Sequence, residues 1–285
     1  MRGKVVAITG ANSGIGLETA RALARDQATV IMIGRNPQKG AAAVDDVRST
    51  TGNDDVHWVN LDLASFRSVK EGAQRLLDDW DRLDVLINNA GLILSERQLT
   101  EDGLEATFQI NHLGHFLLVQ LLRDRLVASA PARVINVASE AHRAAFRGLD
   151  FDDLQSEHGY SGLGVYAKSK LANILFTREL SRRLAGTGVT ANALHPGTIA
   201  SGFARDGDVK GIFAVLIKLG APLLTSPEKG ADCQIFLARD PSVADVSGAY
   251  FIRRARKTPT RPARDDDAAG RLWEESERLV APAFT

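Results

Sequence analysis

Chemistry in this 285-residue chain is first suggested by Tyr166 and Lys170. In Tyr166-Ala167-Lys168-Ser169-Lys170 the spacing of four puts a phenol and an ammonium on one helix face. A phenol with its ordinary pKa of about 10 is a poor base at neutral pH, and an adjacent ammonium favours its phenolate. Such a pair suits proton transfer at an alcohol oxygen while another group carries the hydride. Ser139, after Val134-Ile135-Asn136-Val137-Ala138, stands at a strand end where it can hydrogen-bond the same oxygen. By itself a Tyr-x-x-x-Lys pair is an ordinary exposed helix face. Its meaning depends on what surrounds it.

A second constellation lies near the N-terminus, in Thr9-Gly10-Ala11-Asn12-Ser13-Gly14-Ile15-Gly16. Glycines between a strand and a helix permit a tight turn and let main-chain N–H groups approach a pyrophosphate. The spacing Gly-x-x-x-Gly-x-Gly differs from the commoner Gly-x-Gly-x-x-Gly dinucleotide fingerprint. Roughly 20 residues on, an acidic residue would be expected to hold an adenosine ribose. Here the chain reads Ile33-Gly34-Arg35-Asn36, with an arginine and no carboxylate. Guanidinium geometry suits a 2′-phosphate, so NADP(H) is expected in preference to NAD(H). The plain alternative is a solvated surface arginine. Leu61-Asp62-Leu63 and Asn88-Asn89-Ala90-Gly91 follow the third and fourth strands and can line the same crevice. Asp62 suits an adenine amino group or a helix N-cap equally well, and Asn88 and Gly91 are also ordinary turn residues.

The elements that must position these groups alternate along the chain. Strands are expected at 4–9, 29–33, 56–60, 85–87, 133–138, 189–194 and 249–252. Helical apolar spacing marks 15–28, 38–50, 66–80, 104–128, 165–185, 227–238 and 266–280. This alternation predicts an α/β fold, one doubly wound, seven-stranded parallel sheet with helices on both faces. It uses most of the chain, so residues 1–285 are read as one nucleotide-binding domain. Segments 141–163 and 197–225 leave from carboxyl ends of strands, where open α/β sheets bind ligands, and are read as substrate loops. The apolar set Ile212, Phe213, Val215, Leu216, Ile217, Leu219, Leu223 and Leu224 points to an apolar substrate.

Composition excludes several classes. Thirty-five basic residues balance 35 acidic ones, so nothing pulls the whole protein toward nucleic acid or anionic lipid. One cysteine, Cys233, makes neither a disulfide nor a thiolate cage, which fits a reducing cytoplasm. No signal peptide or spanning segment is legible. The six histidines lack zinc-ligand spacing, so no metal is expected; His112 and His115 read as packing or cap residues and His195 as a strand-end residue. Arg253-Arg254-Ala255-Arg256-Lys257, with Arg261 and Arg264 before Asp265-Asp266-Asp267, reads as a solvated linker, with Leu272 and Trp273 docking the final helix.

Taken together, Thr9-Gly10-x-x-x-Gly14-Ile15-Gly16, Asn88-Asn89-Ala90-Gly91, Ser139, Tyr166-x-x-x-Lys170 and Pro196-Gly197 resemble the short-chain dehydrogenase/reductase family over about residues 3–252. Gln109-Ile110-Asn111-His112-Leu113-Gly114-His115-Phe116, Leu61-Asp62-Leu63-Ala64-Ser65, Ser139-Glu140-Ala141-His142 and Tyr166 to Asn173 resemble its branch of retinol dehydrogenase-like, WW-domain oxidoreductase-like and protochlorophyllide reductase-like proteins. The resemblance implies a Rossmann fold with Tyr166 as general acid/base and Lys170 lowering its pKa and holding the nicotinamide ribose. Ser139 would orient the substrate oxygen, and Asn111 would support a relay water beside Lys170. It further implies cofactor contacts at Gly10, Asn12, Ser13, Gly14, Ile15, Gly16, Arg35, Asp62, Leu63, Asn89, Ala90, Gly91, Tyr166, Lys170, Pro196, Gly197 and Ile199, and pro-S hydride transfer. The chain starts directly on the fold without the membrane anchor of many retinol dehydrogenases, which reads against a membrane-delivered retinoid. Thr198-Ile199-Ala200-Ser201-Gly202-Phe203 also lacks the usual threonine-x-leucine step.

The expected function is therefore NADP(H)-dependent interconversion of a carbonyl and an alcohol on a small molecule. A non-catalytic NADP-binding regulator on the same scaffold is the rival, and an epimerase or dehydratase using the same tyrosine ranks below it. Family members often pair through the helices at 104–128 and 165–185; the insertion at 141–163 sets a monomer against a homodimer.

Overall fold

The computed structural model describes residues 1–197 and 226–284. In chain order the first half comprises β1 (Val5–Thr9), α1 (Gly14–Arg25), β2 (Thr29–Gly34), α2 (Pro37–Thr51), β3 (Val56–Asn60), α3 (Phe66–Asp79) and β4 (Val85–Asn88). Next come a short α4 (Ala106–Phe108), a π-turn (Gln109–Leu113), α5 (Gly114–Ala128), β5 (Ala132–Val137) and a 3-10 turn (Glu140–Ala144). The remainder is α6 (Gly162–Arg183), β6 (Val189–His195), α7 (Pro227–Arg239), β7 (Tyr250–Ile252), β8 (Ala255–Lys257) and α8 (Asp266–Val280).

The strands form one sheet in the order β3-β2-β1-β4-β5-β6-β7-β8. All pairs are parallel except β7 with β8. All five residues of β1 are buried, because helices cover both faces. One face packs α3, α5, α6 and α8 around Phe116, Leu171 and Trp273; the other packs α1, α2 and α7 around Leu23, Val47 and Leu237. The registers Thr9↔Ile33 and Asn88↔Asn136 align the carboxyl ends of the strands along one edge. Strand order reverses between β1 and β4, and that switch point opens the ligand crevice of such sheets.

The seven-strand expectation is corrected by β8. It arises inside the basic segment read as a solvated linker. Ile252 pairs with Ala255 across a two-residue turn in which Arg253 and Arg254 have φ of 50° and 64°. A primed hairpin turn needs positive φ at both central positions, and Asn or Gly usually marks it. Here an ion pair from Arg254 to Asp232 of α7 accompanies the turn, a long-range contact invisible in local sequence.

The helix expected over 104–128 is interrupted by the π-turn. Glu105 caps its start, accepting from the N–H groups of Thr107 and Phe108 at 2.9 and 2.6 Å. The C-terminal helix spans 266–280 as expected. Trp273 packs against Phe116 and Phe176 with ring centres 4.9 and 5.9 Å apart, and the Arg183 guanidinium lies over its indole. Arg178 pairs with Asp266 at 2.7 Å. Trp273→Ala therefore leaves a large cavity between α6 and α8, and we expect a loss of about 3–5 kcal/mol, read as a lower midpoint in urea unfolding.

Candidate active site

The glycine loop lies at the switch point. Gly10 has φ of +65°, and a Cβ there would meet Ala90 at 3.0 Å. At Gly16 a Cβ would stand 2.4 Å from the Gly10 carbonyl oxygen and 2.6 Å from Asn89 Nδ2, so loop and helix close tightly only with glycine. A cleft of about 460 Å³ opens over this loop. Gly10, Asn12, Ser13, Gly14, Ile15, Gly16, Arg35, Asp62, Leu63, Asn89, Ala90 and Gly91, all expected from sequence, line it. Lys39, Asn36, Leu92 and Ile110 line it as well and were not singled out in sequence. Lys39 lies in the first turn of α2, four residues beyond Arg35, and both cations line the cleft.

The main-chain groups of this cradle, the α1 N-terminus and the pair Arg35 and Lys39 match a pyrophosphate and a further phosphate in chemistry. A dinucleotide fits the donor set. Asp62 Oδ1 accepts from Ala64 N–H at 3.0 Å, whereas the α3 N-cap is Ser65. The Asp62 carboxylate thus shapes its own turn within the cleft wall.

The turn after β4 is held from below. Thr9 Oγ1 accepts from the N–H groups of Asn89 and Ala90 at 2.9 and 3.0 Å and lies 2.9 Å from His115 Nε2. Asn89 Nδ2 donates to the Thr9 carbonyl, and its Oδ1 accepts from Gln234 Nε2. Asn89 is thereby a strut as well as a lining residue. His115, fully buried and with its pKa pulled down to about 3 by desolvation, is neutral and links Thr9 to the Asn111 carbonyl. Neither Thr9, Gln234 nor His115 has a sequence pattern that reveals this role, because each acts across long sequence separations.

Asn111 sits in the π-turn, a feature that recurs at functional sites. Its side chain accepts from Leu92 N–H at 2.8 Å and donates to the Leu92 carbonyl at 2.9 Å and to Ser169 Oγ at 3.0 Å. Asn111 thereby couples the loop after β4 to the helix carrying Tyr166. At Gly91 a Cβ would lie 3.1 Å from Asn111 Oδ1 and 3.2 Å from Lys170 Nζ, so this glycine lets both approach the loop.

Ser139 lies two residues beyond β5 and caps the 3-10 turn, with Oγ accepting from Ala141 N–H at 3.1 Å. It also hydrogen-bonds Tyr166. Lys170 Nζ lies 5.5 Å from the Tyr166 ring centre and donates to the Val137 carbonyl at 3.0 Å. Burial pulls the Lys170 ammonium down to about 8 and pushes the Tyr166 phenol up to about 12, with the Ser139 hydrogen bond opposing the latter. The net direction for the phenol is upward because desolvation exceeds the Ser139 hydrogen bond. At neutral pH Tyr166 is a protonated acid.

Ser139, Tyr166 and Lys170 come together, with Asn111 and Gly91 at Lys170. Pro196 and Gly197 follow β6, with Gly197 at φ of +98°. Ile199, the apolar set at 212–224 and nearly all of the 197–225 segment lie outside the described residues. Among the described residues, no group of three or more His, Cys, Asp or Glu side chains is arranged to hold a metal ion. Among them, too, no helix is long and apolar enough to cross a membrane.

Comparison with known proteins agrees with this geometry. The short chain dehydrogenase family model matches residues 4–150 and 153–208. Human retinol dehydrogenase 13 is 46% identical over 282 residues, covering 98% of this chain and 85% of that protein. Chicken WW domain-containing oxidoreductase is 43% identical, covering 98% and 69%. A solved structure from Mycobacterium paratuberculosis has a TM-score of 0.78 at 36% identity, covering 98% of this chain and 94% of that one. The Pseudomonas aeruginosa RhlG/NADP complex has a TM-score of 0.70 at 27% identity, covering 88% and 94%. With a Rossmann sheet, a glycine cradle at its switch point and these relatives, the chain belongs to the short-chain dehydrogenase/reductase family, in its retinol dehydrogenase-like branch.

Proposed function

We propose that this protein is an NADP(H)-dependent oxidoreductase that interconverts a carbonyl and an alcohol on a small apolar substrate, with Tyr166 as general acid/base. The observation that carries the reading is Tyr166 hydrogen-bonded to Ser139, with Lys170 against its ring, beside the glycine-loop cleft. When bound, the nicotinamide supplies or accepts the hydride. Ser139 holds the substrate oxygen, and the protonated Tyr166 gives it a proton during reduction. The Lys170 charge stabilises the phenolate left behind, while Asn111 keeps the loop at Leu92 and α6 in register. Alcohol oxidation runs the same proton transfer in reverse, with the Tyr166 phenolate as the base.

Arg35 and Lys39 in the cleft lining, with no carboxylate directly after β2, support NADP(H) over NAD(H). NADP in the RhlG complex is in keeping with this. Relatives named retinol dehydrogenases make retinal a sensible first carbonyl probe. The expected location is cytoplasmic. Because α8 covers part of α6, we favour a monomer, which sedimentation would check.

The test combines fluorescence titration with NADPH and NADH and turnover of retinal. NADPH should bind at least about tenfold tighter than NADH, and Arg35→Ala should erase most of that difference, since one charged hydrogen bond is worth about 1.5–3 kcal/mol. A regulator without catalysis would bind NADPH and reduce no carbonyl. Failure of both nucleotides to bind below the millimolar range would defeat the cofactor reading.

A further inference from the structure

The 3-10 turn that carries Ser139 is only five residues long, and turns of this kind have poor intrinsic hydrogen-bond geometry. Something else must hold it. Within the turn, His142 N–H and Nδ1 both reach the Ser139 carbonyl, at 3.1 and 2.7 Å. Outside it, Tyr250 of β7 donates its hydroxyl to Glu140 Oε1 at 3.0 Å, and Thr260 N–H donates to His142 Nε2 at 3.4 Å. A further contact comes from β6: the Glu140 main-chain N–H, at the residue next to Ser139, donates to His195 Nδ1 at 3.3 Å. His195 immediately precedes Pro196-Gly197, so one imidazole joins the Ser139 turn to the loop that leaves β6.

We propose that His195 is a positioning residue: its bare Nδ1 moors the Glu140 N–H and thereby aims the Ser139 hydroxyl at Tyr166. The proposal rests on the catalytic reading of Ser139 and Tyr166 for its effect on turnover, and on geometry alone for the mooring. The bond exists only while Nδ1 is unprotonated, because an imidazolium would set one N–H against another. Among the described residues, the charged or titratable groups that act on His195 are Glu140, His142 and Arg253. Burial, His142 and Arg253 favour the neutral ring, Glu140 opposes them, and the net direction is downward. The mooring is therefore intact at neutral pH and is lost as the medium becomes acid.

Two substitutions separate acceptor from titration. His195→Asn keeps an acceptor oxygen near the place of Nδ1 and does not titrate, whereas His195→Ala removes the acceptor. In protein labelled with 15N-glutamate, the Glu140 amide resonance should shift as the pH falls below 6.5, the ordinary imidazole value, and that shift should be clearly smaller in His195→Asn, where only His142 and the Glu140 carboxylate still titrate beside it. A Glu140 amide that does not titrate, or titrates identically in both proteins, overturns the mooring whatever the enzyme does. With retinal and saturating NADPH, His195→Ala should lower kcat by about tenfold or more with NADPH affinity unchanged, as small misplacements at a reacting centre do. His195→Asn should restore kcat at neutral pH to within about twofold and lack the acid limb of the wild-type profile. Unchanged kcat in His195→Ala would overturn the positioning role. Wild-type protein that reduces no carbonyl would count against the catalytic reading, and the amide titration would still decide the mooring.

Discussion

Replacing Tyr166 by Phe is expected to lower kcat for carbonyl reduction by about a thousandfold while NADPH affinity stays within about twofold. The substitution removes one oxygen and keeps the ring against which Lys170 Nζ lies. With the phenol pushed up to about 12, it is neutral at physiological pH, so the variant loses a proton donor without losing a charge. The Ser139 hydroxyl loses its partner, yet it still accepts from Ala141 N–H, and its turn stays anchored through Glu140 and His142. Single-turnover reduction of retinal, with fluorescence titration of NADPH alongside, checks both halves. A variant that keeps more than about a tenth of wild-type turnover would remove Tyr166 from the proton-transfer step.

Lys170→Met is the second large effect, and it should move activity and stability in opposite directions. Lys170 is almost completely buried, and burial lowers its pKa from 10.5 to about 8. The unfolded chain therefore binds more protons than the folded one between pH 8 and 10.5, so stability rises with pH across that window. Below it the folded protein carries the full penalty of a buried ammonium, on the order of 3 kcal/mol. Methionine removes that penalty, and the Val137 carbonyl keeps Asn173 Nδ2 at 3.2 Å as a donor. The variant should melt several degrees higher at pH 7, roughly 5 °C or more for a chain of this size. Its kcat should fall by about 10²–10³ because nothing stabilises the Tyr166 phenolate as it forms. Wild-type kcat for reduction should decline as pH rises through about 8, where Lys170 loses its proton, and Lys170→Met should lack that decline. A variant that is both inactive and less stable would show that the ammonium is held by more than the Val137 carbonyl.

Opposed effects of this kind would account for a lysine in so dry a site. The same desolvation that weakens the fold would strengthen the action of the charge on a phenolate formed at Tyr166. Buried His112 and His115, with pKa values pulled down to about 4 and about 3, carry no charge at neutral pH and add no competing cation to the site.

What the sequence determined by itself is whatever short-range rules govern. Strand–helix alternation specifies a covered parallel sheet, since β-branched runs buried on both faces need helices above and below. The glycine spacing after β1 specifies a cradle, because only glycine accepts the contacts at positions 10 and 16. The spacing of four between Tyr166 and Lys170 places both on one face of α6. What only the tertiary structure decided depends on which groups meet across long separations and how dry the meeting place is. The β7–β8 hairpin, with Arg254 paired to Asp232, has no local turn signal. The π-turn at Asn111 meets Leu92 and Ser169, and the Thr9–His115 link spans 106 residues. The phenol's upward shift follows from burial, which no spacing rule reports. Residue types in the sequence pointed to Tyr166 and its neighbours, and packing set their protonation states, because a pKa is a property of the surroundings as much as of the group.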